Sequence, residues 1–198
     1  MPAEGPAAGA VPASALQRAL QKYAKVEPRE SAAVLAAFFL FFFVLGSYFA
    51  VRPVRETIAT ILGRDRVADL WLYTALFSIA IVPIYGWLVG RVRRSLLLPW
   101  IYGVVALILA VLGLVVSRDE GNLAVGTFFY VWISVLNLML VSVFWSFLLE
   151  MFTSEQTKRL FGFVAAGGTL GALLGPLTTR LVVDSVGNAG VLWIGTAG

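Results

Sequence analysis

Apolar residues fall in unbroken blocks of about twenty along this chain, and polar residues gather between the blocks. The first block covers residues 32–51 and includes the aromatic run Phe38, Phe39, Phe41, Phe42 and Phe43. At 1.5 Å of rise per residue, twenty helical residues cover the roughly 30 Å of hydrocarbon in a bilayer. Further blocks cover 70–90, 96–116, 123–149 and 160–183, and a sixth begins near Val191 and reaches Gly198. So short a sixth block would leave backbone groups unsatisfied in lipid, so the pattern predicts more chain or a partner there. The expectation is an all-α integral membrane protein, with a tail over 1–31 and a transmembrane domain over 32–198 whose sixth helix is truncated.

The tail has its own pattern. Residues 1–12 are small residues and prolines with little to bury, which predicts disorder. Ser14 then stands as a helix cap, and Leu16, Leu20 and Tyr23 recur at helical spacing with Arg18, Lys22 and Lys25 elsewhere on the wheel. That reads as a short amphipathic helix at the membrane surface, ended by Pro28; the alternative is a solvated, partly helical tail. No basic region precedes a short apolar core, so no cleaved signal peptide is expected.

Composition sharpens the picture by exclusion. Hydrophobic residues make up 60% and charged residues 13% of the chain, against about a quarter charged in a soluble domain, and the mean hydropathy is +0.88. Cysteine and histidine are absent, which removes thiol and imidazole chemistry, disulfides and the usual zinc sites. An enzyme is not expected, and nothing calls for a cofactor or a metal. The net charge of +4 does not point to nucleic acid, because the basic residues cluster between apolar blocks rather than along one helical face. Nine of them, in the tail, the second-to-third loop and the fourth-to-fifth loop, fall on one side of the membrane, and six fall on the other. The positive-inside rule then places the N-terminus in the cytoplasm.

Four constellations are candidates for function. At the end of the first block, Arg52 and Arg55 share a helical face at i, i+3, and Arg52 can pair with Glu56 at i, i+4. An arginine deep in lipid costs about 2.5 to 3.5 kcal/mol on insertion scales, so this pair should face water or protein. Two guanidinium groups on one face make an anion site, each able to fork two hydrogen bonds onto phosphate or carboxylate; the alternative is a snorkelling cap on the span. Gly86, Gly90, Arg91, Arg93 and Arg94 lie where the second and third spans join, and a plain positive-inside loop is the simpler reading. In the fifth block, Gly167, Gly171 and Gly175 fall at i, i+4 and i+8 and form a smooth packing face, with Gly162 before them and Pro176 after to bend the helix or remove a hydrogen bond. The fourth block is interrupted by Ser134, Asn137, Ser142 and Ser146, of which Asn137 can line a path or hold helices together. Thr153 and Gln156 have the spacing of a capping box.

Residues 41–57 and 144–176 together resemble the ATP/ADP translocase family, the nucleotide transporters of plastids and intracellular bacteria, and its wider bacterial relatives within the major facilitator superfamily. The resemblance implies the N-terminal six-helix half of a twelve-helix transporter in a bacterial inner membrane, with a C-terminal half outside this chain. The family's first helix ends in an Arg-Asp-Thr-Lys-Asp motif: Arg52 matches its arginine, Arg55 its transport lysine and Glu56 its final aspartate, while Pro53 and Val54 depart from it. The superfamily's loop signature is matched in part by Gly86 to Arg94, with Gly90 in place of its aspartate and Arg93 in place of its second glycine. Gly162, Gly171, Gly175 and Pro176 follow the spacing of the fifth-helix antiporter motif, with Thr179 and Arg180 in place of its closing glycines. The family's fourth-helix glutamate has no counterpart between Phe129 and Asn137. The function so implied is secondary active transport of an anionic or phosphorylated metabolite such as a nucleotide, with Arg52, Arg55, Glu56 and Asn137 as substrate contacts and the glycine face as a sliding surface. The alternative is a membrane anchor or sensor module derived from the same fold.

Overall fold

A computed structural model describes residues 26–27, 29–92, 94–118 and 122–197, without the side chains of Arg94, Ser95 and Ala197. Helix α1 spans Ser31–Leu62, α2 Val67–Arg91, α3 Arg94–Val116, α4 Leu123–Met151 and α5 Ser154–Ala197, and a short 3-10 turn at Arg64–Arg66 joins α1 to α2. The described residues contain no strand, and all five helices are long and apolar enough to cross a membrane. In a segment that crosses a bilayer, backbone polar groups have no water to turn to, and a helix satisfies them internally. The amphipathic helix expected in the tail lies outside the described residues.

Three boundaries differ from the apolar blocks. Helix α1 does not end near Val51 but runs eleven residues further, through Pro53. Charge ends an apolar block without ending a helix, and Arg, Glu and Leu are good helix formers. The helix stops at Gly63, whose φ of 96° suits glycine. Gly86 and Gly90 lie within α2 rather than in a loop, so only Val92 and Arg93 separate α2 from α3. The expected gap between the fifth and sixth spans is a sharp break at Gly187, with φ 67° and ψ −178°, inside one continuous stretch of helical turns. Pro176 lies within the helical run, and Gly187 holds its one non-helical conformation.

Two pairings organise the bundle. Gly167, Gly171 and Gly175 of α5 face the backbones of Phe38, Phe42 and Gly46 in α1, and the Thr179 hydroxyl donates to the Ala50 carbonyl at 2.6 Å. The offset between partners is constant along the chain, so α1 and α5 run side by side in the same direction. Against α4 the order reverses: Arg55 meets Ser134, and Phe41 stacks on Phe144 with ring centroids 4.1 Å apart. Helix α4 is thus antiparallel to α1.

The core lies along α1. One cluster joins α1, α3, α4 and the last segment of α5 through Val51, Val54, Ile133, Leu136 and Leu192. A second joins the start of α1 to the end of α4 and the start of α5 through Val34, Phe41, Phe144, Leu148 and Leu160. Beyond Gly187 the chain turns back, bringing Gly195 against Val51 and Trp193 against Gly113 of α3. Helix α2 stands apart, with Leu70 as its only buried residue and Trp71, Leu76, Ile79 and Trp87 exposed.

Candidate functional site

The buried face of α1 runs through Val34, Ala37, Phe41, Val44, Tyr48, Val51, Val54 and Ile58 at steps of three and four. Arg55 stands beside Val54 at the edge of that face. Its side chain is 16% exposed, which puts a permanent charge against an apolar seam. Such a group must be satisfied by protein or water.

Helix α4 supplies much of what it needs. Arg55 Nη1 donates to Ser134 Oγ at 3.0 Å, and Ser134 Oγ itself donates to the Tyr130 carbonyl at 2.6 Å. The guanidinium carbon lies 5.0 Å from the centre of the Tyr130 ring, a cation-π contact. Arg55 Nε donates to Glu56 Oε1 at 3.1 Å, and Nη2 forms an ion pair with the same oxygen. Ser134 is eleven residues into α4, about 17 Å from its start. The charge therefore sits well within the length of an apolar helix.

The other sequence-derived candidates take different positions. Arg52 is exposed, with its guanidinium 5.6 Å from the centre of the Phe49 ring. The Arg52–Glu56 pair that i, i+4 spacing allows does not form, because the Glu56 carboxylate turns to Arg55, which is fixed against α4. Asn137 lies one turn beyond Ser134, and its Oδ1 is buried with no hydrogen-bond donor. Ser134, Tyr130 and Asn137 are spaced to share one face of α4. A cavity of about 70 Å³ between α1, α3 and α4 is lined by Ser47, Tyr48 and Tyr102 among apolar groups. That is room for water and far below the several hundred Å³ of a metabolite site.

The glycines divide sharply. A Cβ at Gly167, Gly171 or Gly175 would clash with the carbonyl oxygens of Phe38, Phe42 and Gly46 respectively, whereas a Cβ at Gly162, Gly86 or Gly90 would meet nothing within 4 Å. Helices this close exchange backbone contacts that larger residues forbid. Arg91 is exposed at the end of α2 and lies 4.7 Å from the centre of the Trp87 ring. Arg93 lies outside the described residues, as does the side chain of Arg94.

A second polar group, not picked out as a site by the sequence reading, closes the other end of the α1–α5 pair. Arg159 donates to both Glu30 oxygens at 2.8 and 2.7 Å and to Glu27 Oε1 at 3.3 Å. Gln156 Nε2 donates to Glu30 Oε1 at 2.6 Å, while Gln156 and Thr153 exchange capping bonds of 2.9 and 3.3 Å at the start of α5. Burial works against ionisation of Glu30. It is outweighed by the bonds from Gln156 and the Glu27 N–H and by the Arg159 charge, so the carboxyl titrates below the usual carboxylate range. Ser134 stood out in the sequence only as a polar residue within the apolar fourth block, with no spacing that ties it to Arg55; for Glu30 and Arg159 no local pattern exists, since 129 residues separate them.

The chain matches no protein-family model, no curated protein and no solved structure.

Proposed function

We propose that the chain is a multi-pass membrane protein, the N-terminal six-helix half of a major facilitator type transporter, and that it moves an anionic, phosphorylated metabolite of the nucleotide class across a bacterial inner membrane, with its N-terminus in the cytoplasm. The observation that carries this reading is Arg55, only 16% exposed and held against the apolar helix α4. A charge retained among apolar helices costs energy on insertion and marks a solute pathway by default.

The geometry supports a specific use of that charge. Glu56 neutralises Arg55, and Ser134 and Tyr130 hold the guanidinium in place. An entering phosphate competes with the Glu56 carboxylate for the same fork of N–H donors, since both are bidentate acceptors. Arg52, without a carboxylate partner among the described residues, adds a second positive charge one turn away, and the Asn137 amide offers polar contacts deeper along α4. The small cavity beside Tyr48 does not hold such a solute, so the site is completed by a second half rocking against this one. Close α1–α5 packing makes that pair a rigid unit for the motion.

The test is uptake of labelled nucleotides and simpler phosphorylated anions into liposomes holding the whole protein. The expected result is uptake that falls at least about tenfold in Arg55→Ala. Undiminished uptake in that variant removes Arg55 from the mechanism. One observation favours the second reading, a non-transporting anchor or sensor module: every nitrogen of Arg55 is already engaged and α4 has no acid between Phe129 and Asn137. Absence of uptake for any phosphorylated anion would favour that module.

A further inference from the structure

Arg55 is closed on two sides by different partners. Its Nη1 corner donates to Ser134 Oγ at 3.0 Å, and its Nε and Nη2 edge meets Glu56, with Nε at 3.1 Å from the carboxylate. That edge suits a phosphate or carboxylate well, because its N–H groups run parallel and match two oxygens. Glu56 fills it imperfectly: both N–H groups end on Oε1. The reason lies in the helix. Side chains at i and i+1 do not face each other, so the Glu56 carboxylate reaches Arg55 from the side and offers one oxygen where the edge can take two.

The two partners also differ in exposure. The Glu56 side chain is 58% exposed and that of Arg55 is 16% exposed, so Ser134 holds the guanidinium from within and Glu56 covers it on the open side. A carboxylate that exposed can turn away from Arg55 without burying its charge. Its departure frees the two-donor edge and leaves the Ser134 bond and the Tyr130 ring contact in place.

We propose that Glu56 is not a contact for the solute but a resident competitor that sets which anions reach Arg55. The inference rests on the solute-binding reading of Arg55 above and assigns that site its selectivity. A phosphoryl group brings close to two charges and several oxygens, so it gains a parallel pair of hydrogen bonds that Glu56 does not make. Chloride is a single centre. It can only replace the one-oxygen contact, and it must do so against a carboxylate tethered beside the site at high effective concentration. The apparent affinity of every anion falls with the fraction of time the edge stands free, and an edge free for about a tenth of the time weakens each of them about tenfold. A strong phosphoryl ligand survives that factor, and an abundant weak anion does not.

The experiment is titration of apparent Tm for the whole protein in detergent, since a ligand that binds the folded state raises it, with ATP, pyrophosphate and chloride added separately at fixed ionic strength. The unaltered protein should respond to the two phosphoryl anions and not to about 0.15 M chloride. Glu56→Gln, which keeps the size and loses the charge, should respond to the phosphoryl anions at about tenfold lower concentration and should respond to chloride as well. A merely structural Glu56 would give the opposite, a weaker response on substitution. Glu56→Ala takes its place if the glutamine variant fails to fold as judged by circular dichroism. Arg55→Ala should respond to none of the three. A shift by ATP or pyrophosphate that survives in Arg55→Ala, or no shift by either in the unaltered protein and the Glu56 variants, overturns the solute reading together with this proposal. A shift that needs Arg55 but is unchanged or weaker in the Glu56 variants, or variants that remain blind to chloride, overturns this proposal alone.

Discussion

Helix α1 presents two faces with opposite characters. Toward α5 it offers backbone, with Phe38, Phe42 and Gly46 carbonyls meeting a row of glycines that admit no side chain. Toward α4 it offers chemistry, with a guanidinium, a hydroxyl and aromatic rings interdigitated in the seam. The first face is stabilised by closeness and tolerates no added volume. The second is adjustable, because its polar contacts can be exchanged for others of similar strength. A helix that must stay fixed on one side while changing partners on the other is well served by that division.

The contrast can be broken most severely on the glycine side. Gly171→Val places branched carbons into the Phe42 carbonyl and should destabilise the protein by about 3 kcal/mol, read as a large drop in apparent Tm in detergent. Gly162→Ala, with open space around it, should leave the same measurement unchanged or slightly raised. Equal losses in the two variants would mean that α1 and α5 are not in backbone contact.

On the chemical side the expected ranking inverts. Arg55→Ala removes charge-assisted hydrogen bonds worth about 1.5 to 3 kcal/mol each at most, and it also removes the cost of holding a charge in the seam, so its apparent Tm should fall less than that of Gly171→Val. Transport should suffer far more. Thr179→Val tests a side-chain bond within the glycine interface: losing the 2.6 Å bond to the Ala50 carbonyl should cost about 1 kcal/mol, without changing solute uptake.

The smallest effect concerns the clasp at the other end of the α1–α5 pair. Glu30 titrates below its ordinary value in the folded protein, so its contribution to stability is full above that ordinary value and is lost as pH falls through the lowered one. Apparent Tm should decline on acidification across that window, and Glu30→Gln should remove this part of the decline. A decline of the same size in the variant would assign it to other carboxylates.

Helical character and five helices long enough to cross a membrane were legible in the apolar blocks, because in a chain this hydrophobic the solvent decides the secondary structure. The ends were less legible. Block length locates the edge of an apolar stretch, and α1 continues past that edge to Leu62 because Arg52 to Thr57 carry no helix stop apart from Pro53. Gly187 fell in the gap between the fifth and sixth blocks, and a single positive φ there breaks the helix as effectively as several loop residues. At the site, charge alone singled out Arg52 and Arg55, and it could not tell that one lies exposed over Phe49 while the other enters the seam. Partners across helices, Ser134 for Arg55 and Arg159 for Glu30, depend on which turns face each other, and no local spacing encodes that.

The central claim is that the polar strip of α4 beside Arg55 opens to water and to an anionic solute while its neighbouring face meets lipid. The chain has no native cysteine, so single-cysteine variants report on this directly. Asn137→Cys and Leu138→Cys differ by one position, the first on the strip with Ser134 and the second on an outward face that is 56% exposed. In vesicles, a membrane-impermeant thiol reagent should label the cysteine at position 137 and not the one at 138, and a phosphorylated anion should slow that labelling. Equal labelling at both positions, or labelling at 137 indifferent to the anion, would contradict the account.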